Sequence, residues 1–160
     1  MQRSVLFLCT GNSCRSILAE ATFNALAGPE WRAMSAGSHP TGRVHPRSLA
    51  LLRREGIATE GLYSKSWTDL PTVPDLVVTV CDDAAGEACP AYLGPALRVH
   101  WGVEDPAKAT GTETEIDAAF ERVYGTLRTR IEALLKLPLD RLWDDRAKLK
   151  AELDAIAKCK

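Results

Sequence analysis

No apolar run in this chain approaches the roughly 18 residues needed to cross a membrane, so no transmembrane helix and no membrane partner are expected. The opening Met1-Gln2-Arg3-Ser4 passes at once into a short strand-like run. It lacks the longer apolar stretch and small-residue cleavage site of a secretory signal. Neither sign of charge is in excess. Twenty Lys and Arg stand against 21 Asp and Glu, a net charge of −1, which argues against nucleic acid as the main partner. There is no internal repeat, low-complexity segment or domain linker, and 160 residues suit one domain with a proper core. The five cysteines are odd in number and none has metal-finger spacing. With no signal before them, working thiols in a reducing cytoplasm fit better than a disulfide framework.

What is present begins with Cys9-Thr10-Gly11-Asn12-Ser13-Cys14-Arg15-Ser16, directly after the apolar run Val5-Leu6-Phe7-Leu8. A cysteine, a five-residue turn and an arginine between a strand and a helix make an oxyanion cradle with a nucleophile at its base. Successive backbone N–H groups of Thr10 through Ser16 can point inward, as a nest at a helix N-terminus. Gly11 permits backbone geometry that a side chain would obstruct, and Asn12 tolerates positive φ. Arg15 offers a planar fork for two oxygens of phosphate, arsenate or sulfate. That positive environment is expected to depress the Cys9 thiol pKa, with Ser16 donating to the thiolate. Cys14 falls on the apolar face of the following helix with Ile17, Leu18, Ala21 and Ala25, which reads as a packed thiol.

The remaining pattern predicts strands over residues 3–9, 31–37, 76–80 and 97–101. Helices are expected over 14–27, from Pro46 through Arg53, and over 115–136, the last with Phe120, Val123, Leu127, Ile131 and Leu134 on one face. Ser66 is expected to cap a short helix. A narrower-faced helix carrying Leu142, Leu149, Leu153 and Ile156 lies beyond Pro138, so residues 139–160 read as a helical tail to a domain over 1–138. Short apolar strands alternating with helices predict an α/β, single-domain three-layer sandwich, with a four-stranded parallel sheet flanked by helices. Ligands in such sheets sit beyond the carboxyl ends of strands, where Cys9, Cys81 and the loop after Trp101 all lie.

These residues resemble the low-molecular-weight tyrosine phosphatase fold over about residues 3–136, and within it the three-cysteine arsenate reductases. The resemblance rests on Cys9–Ser16, on Val77-Val78-Thr79-Val80-Cys81, on Cys89-Pro90, and on His100-Trp101-Gly102 with Asp105-Pro106. It implies Cys9 as the nucleophile on arsenate, Arg15 and the loop N–H groups as its oxyanion binders, and Asp105 as general acid. It further implies that Cys81 attacks Cys9, releasing arsenite, and that Cys89 then moves the disulfide to Cys81–Cys89. External thioredoxin, or glutaredoxin with glutathione, would reset the enzyme. No bound cofactor is implied. Arsenic detoxification, a cytoplasmic location, a monomeric state and weak phosphatase side activity are the matching expectations.

The segment between the relay cysteines, Asp82-Asp83-Ala84-Ala85-Gly86-Glu87-Ala88, must loop out or partly unfold if it begins helical. Some thioredoxin-coupled relatives hold potassium beside the cradle through an Asn, a Glu and an Asp. Asn12 and Glu20 match the first two, but Lys65 stands at the third place. A lysine ammonium could substitute for the ion, so no bound metal is expected. Asp105 is followed by Ala107-Lys108-Ala109-Thr110, which builds no aromatic wall for a phenyl ring. That weighs against the alternative, a phosphotyrosine phosphatase. A non-catalytic oxyanion or thiol sensor is a further alternative. His100 reads as a structural strand-end residue, and Cys159 as an idle thiol.

Overall fold

The computed structural model describes residues 3–70, 72–81 and 96–158. Cys89, Cys159 and the segment after Cys81 lie outside the described residues. Four strands form one parallel sheet in the order β2-β1-β3-β4: β1 Arg3–Cys9, β2 Trp31–Gly37, β3 Leu76–Thr79 and β4 Leu97–His100. The central strands are buried almost throughout, as a sheet covered on both faces requires. Edge strand β4 alternates, leaving Arg98 and His100 exposed.

Among the described residues the α-helices are α1 Arg15–Leu26, α2 Pro46–Arg54, α3 Glu113–Leu135, α4 Leu139–Leu142 and α5 Arg146–Ile156. Helix α3 begins two residues before its apolar periodicity suggests. Thr112 and Glu115 close a capping box, and the two added residues, Glu113 and Thr114, are polar and exposed, with no apolar side chain to announce them. Its apolar face, Phe120, Val123, Leu127, Ile131 and Leu134, is buried as expected; each such side chain contributes about 1.5–3 kcal/mol. Leu149, Leu153 and Ile156 of α5 join the same core, and the Trp101 indole N–H donates to Leu153 O at 3.0 Å. Residues 139–156 are thus packed into the domain. Strand four ends one residue short of Trp101, although Trp101 N still donates to Thr79 O at 2.7 Å.

From β1 the chain moves to one side to reach β2, then crosses back to β3 on the other side of β1. This reversal opens a crevice at the carboxyl ends of β1 and β3, the place where open α/β sheets bind ligands. Cys9 ends β1, and Cys81 follows β3 by two residues.

Candidate active site

The turn from Cys9 to Arg15 is held from outside by its carbonyls. Thr10 O accepts from His39 N at 2.9 Å and Gly11 O from Thr41 N at 3.0 Å. Ser13 O accepts from His45 N at 3.1 Å. The Ser64 and Ser48 hydroxyls add bonds to Gly11 O and Ser13 O, each at 3.2 Å. In a planar trans peptide the C=O and the next N–H point oppositely, so outward carbonyls at 10, 11 and 13 turn the amides of Gly11, Asn12 and Cys14 inward. Asn12 shows this directly: its N–H donates to Cys9 Sγ at 3.2 Å. Asn12 adopts φ +48°, as its residue type allows. A Cβ on Gly11 would meet the Thr41 methyl at 3.3 Å.

Behind the turn runs a buried polar chain. The Asn12 amide N–H₂ donates to Ser16 Oγ at 2.8 Å and Ser35 Oγ at 3.0 Å. Ser16 Oγ lies 2.9 Å from Cys9 Sγ, and because it already accepts from Asn12 its own proton is free to point at sulfur. Ser35 Oγ donates to Glu20 at 2.6 Å, and Asn12 Oδ1 accepts from Lys65 N at 2.8 Å. The Lys65 ammonium donates to Ser35 O at 2.9 Å and Tyr63 O at 3.0 Å, and stands 3.7 Å from Glu20. Lys65 thus lies beside Asn12 and Glu20: its backbone N–H takes Asn12 Oδ1, and its ammonium takes Ser35 O and Tyr63 O and faces Glu20. Those residues do not suit a potassium ion. Among the described residues no group of three or more His, Cys, Asp and Glu could hold a metal.

At the mouth, Arg15 is turned to the loop after β4. Its Nη1 donates to Val103 O at 3.2 Å, and Nη2 is 3.5 Å from Asp105 Oδ2. Asp105 also caps the short 3-10 turn Pro106–Lys108, accepting from Ala107 N at 3.0 Å. Cys81 is buried, with its sulfur 3.5 Å from the Thr10 hydroxyl. The fold therefore gathers Cys9, Arg15, Cys81 and Asp105, which are scattered over 97 positions of sequence, at one crevice.

Residues 4–152 match the family described as low molecular weight phosphotyrosine protein phosphatase. The chain belongs to this family. It is 41% identical to the arsenate reductase of Bacillus licheniformis over 132 residues, 82% of this chain and 94% of the relative. The arsenate reductase of Archaeoglobus fulgidus superimposes with a TM-score of 0.69 at 29% identity, covering 83% of this chain and 99% of the other. An arsenate reductase in its phosphate-binding state gives 0.70 at 26% identity, covering 84% and 97%.

One expectation about this phosphatase-family cradle is corrected. Burial pushes the Cys9 thiol up, not down. The Ser16 hydroxyl and the Ser16 and Asn12 amides pull it back only in part, and nearby Cys81 adds to the rise. The physical reason is the desolvation of the sulfur, which outweighs the hydrogen bonds made to it; the Arg15 guanidinium donates to Val103 O and stands 3.5 Å from Asp105 Oδ2. Cys14, the residue before α1, is buried as expected, and burial raises its thiol too. Burial and Arg47 lower His45, whose ring packs on Phe120 and whose Nδ1 caps α2 by accepting from Arg47 N. His100 pairs with the Thr79 hydroxyl at 2.7 Å. Trp101 is fully buried in the core.

Sequence reasoning missed Gly37, Ser35, Ser48 and Ser64. A Cβ on Gly37 would lie 2.4 Å from Thr10 O and 3.0 Å from Cys9 O, so the cradle rests against a bare backbone. The available signal was positional. The run Ser35-Ala36-Gly37 puts small residues at the carboxyl end of β2, beside the end of β1.

Proposed function

We propose that this protein reduces arsenate to arsenite, using Cys9, Cys81 and Cys89 in turn. The observation that carries the reading is Cys81. It lies buried at the strand end next to Cys9, against Thr10 of the cradle, where a hydrolase has no use for a second thiol. Similarity to the arsenate reductase of Bacillus licheniformis over most of both chains supports it.

The inward amides and Arg15 bind the oxyanion, drawing the guanidinium from Asp105 onto the substrate. Cys9 attacks arsenic as its thiol proton passes to a substrate oxygen. Asp105 protonates the departing oxygen, which leaves as water. Cys81 then attacks Cys9 Sγ, and the electron pair of the breaking S–As bond stays on arsenic. Two thiols become one disulfide while arsenate becomes arsenite and water. Cys89 next attacks Cys81, freeing Cys9 and leaving a Cys81–Cys89 bridge. A dithiol carrier such as thioredoxin resets it; glutaredoxin with glutathione is the other route. A reducing cytoplasm suits this chemistry. The Lys65 ammonium serves in place of a bound cation.

The test is a single turnover: fully reduced protein with arsenate and no reductant, followed by disulfide mapping. One equivalent of arsenite with a Cys81–Cys89 bridge is expected. Cys89→Ser should stop after one turnover at a Cys9–Cys81 bridge. Intact thiols and no arsenite would favour the phosphatase reading, which needs Cys9, Arg15 and Asp105 alone.

A further inference from the structure

Arg130 projects from α3 into the core and is only 5% exposed. A buried guanidinium is costly unless well paired, so its partners are informative. Its Nη1 donates to Trp101 O at 3.0 Å and Gly102 O at 3.3 Å. These are the first two residues beyond β4, which is an edge strand among the described residues. Helix α3 thus supplies a side-chain donor to two backbone carbonyls of the chain as it leaves β4.

The same stretch is also tied to β3. Trp101 N donates to Thr79 O at 2.7 Å and Val103 N to Val80 O at 3.1 Å. The Trp101 ring is fully buried and anchored on Leu153 O. Residues 101–103 are thus held by α3 and by β3 together. Immediately beyond them come the two groups that meet Arg15, Val103 O and Asp105.

We propose that Arg130 is a positioning residue for the reaction: it fixes the root of the loop that carries Asp105 and so sets where that carboxyl stands over the cradle. The inference rests on the reading of Asp105 as general acid. Arg130 touches no substrate; its effect runs through the backbone of residues 101–103. Loss of its donors lets that backbone relax, and a proton donor is sensitive to such shifts because proton transfer needs hydrogen-bond reach.

The experiment is a double-mutant cycle on the full chain, with Arg130→Met and Arg130→Lys made alone and with Asp105→Asn. Arg130→Met is expected to lower kcat for arsenate about tenfold or more, with KM within about threefold. Arg130→Lys should recover at least about threefold of that loss, since it restores a cationic donor. Alkylation of Cys9 by iodoacetamide should be unchanged. In the Asp105→Asn background, Arg130→Met should cost less than about twofold. Equal losses in both backgrounds, a loss confined to KM, or kcat within about twofold of the unaltered protein would overturn the proposal. If Arg130→Met shows no cooperative thermal transition, Arg130→Gln takes its place in the cycle and decides by the same criteria. If the unaltered protein forms no arsenite, the reductase reading is what fails. Hydrolysis of phenyl phosphate, whose poor leaving group also needs a proton, then carries the same cycle and decides on Arg130 separately.

Discussion

Replacing Gly37 by Ala perturbs the cradle through a single methyl group. The new Cβ would stand 2.4 Å from Thr10 O, 3.0 Å from Cys9 O and 3.1 Å from Asn12 N, all backbone atoms. None of them can swing aside as a side-chain end would. Bringing the closest contact to a tolerable separation requires a relative shift of about 0.8 Å. Gly37 is itself held, since its N–H donates to Lys65 O at 2.9 Å and it is registered against Cys9 in the sheet. The strain therefore falls on the turn at residues 9–12. Overpacking of this kind costs about 1–3 kcal/mol. At about 2–4 °C per kcal/mol for a chain this long, the melting temperature should fall by about 2–12 °C. Activity should fall further than stability implies. A 1 Å misplacement near the chemistry can cost on the order of a hundredfold, so about 0.8 Å should reduce kcat by tens of fold. The assays are thermal unfolding and arsenite formation under saturating arsenate. Gly125→Ala is the control: it lies in α3 with nothing within 4 Å of an added Cβ, and should gain about 0.5–1 kcal/mol. A Gly37→Ala protein with unchanged melting temperature and unchanged kcat would refute the close-approach argument.

Three other perturbations probe the same site. Iodoacetamide alkylation of ligand-free protein should rise with pH through a midpoint above that of an ordinary cysteine, because burial holds the Cys9 proton on. Ser16→Ala, which removes the strongest opposing bond, should move that midpoint higher still, and a midpoint below the ordinary thiol value would contradict the burial argument. Asp105→Asn should slow the arsenate step by about 10²–10⁴-fold while inorganic phosphate still binds as a competitive inhibitor; loss of inhibition with no change in rate would assign the residue to binding. Lys65→Met leaves the part-buried Glu20 carboxylate without its cation and should cost up to about 3 kcal/mol in chemical denaturation, most of it recovered by adding Glu20→Gln. A neutral single variant would mean that the pair does not hold the cradle.

Arg15 and Asp105 show how far sequence reasoning reaches into the site. Both are legible as candidates, one by its place in the turn and one by the Asp-Pro after the fourth strand. Their 3.5 Å ion pair is not legible, because it depends on how a loop 90 positions away folds over the turn. The direction of the Cys9 shift fails because the sequence shows an arginine six residues on but not how deeply the fold buries the sulfur. Lys65 was legible solely through resemblance, since an isolated lysine between Ser64 and Ser66 carries no local mark of burial.

By itself the sequence determined what short-range chemistry controls. A β-rich apolar run, a turn with Asn at positive φ and a helix follow one another over residues 3–26, and their torsions are properties of neighbours in the chain. The tertiary structure alone decided the rest. It set the strand order that opens the crevice between β1 and β3, the Gly37 contact that seats the cradle, the serine hydroxyls that turn its carbonyls outward, and the Arg130 hold on the acid loop. Each of these joins residues far apart in sequence, through packing and hydrogen bonds that exist only once the whole core has closed.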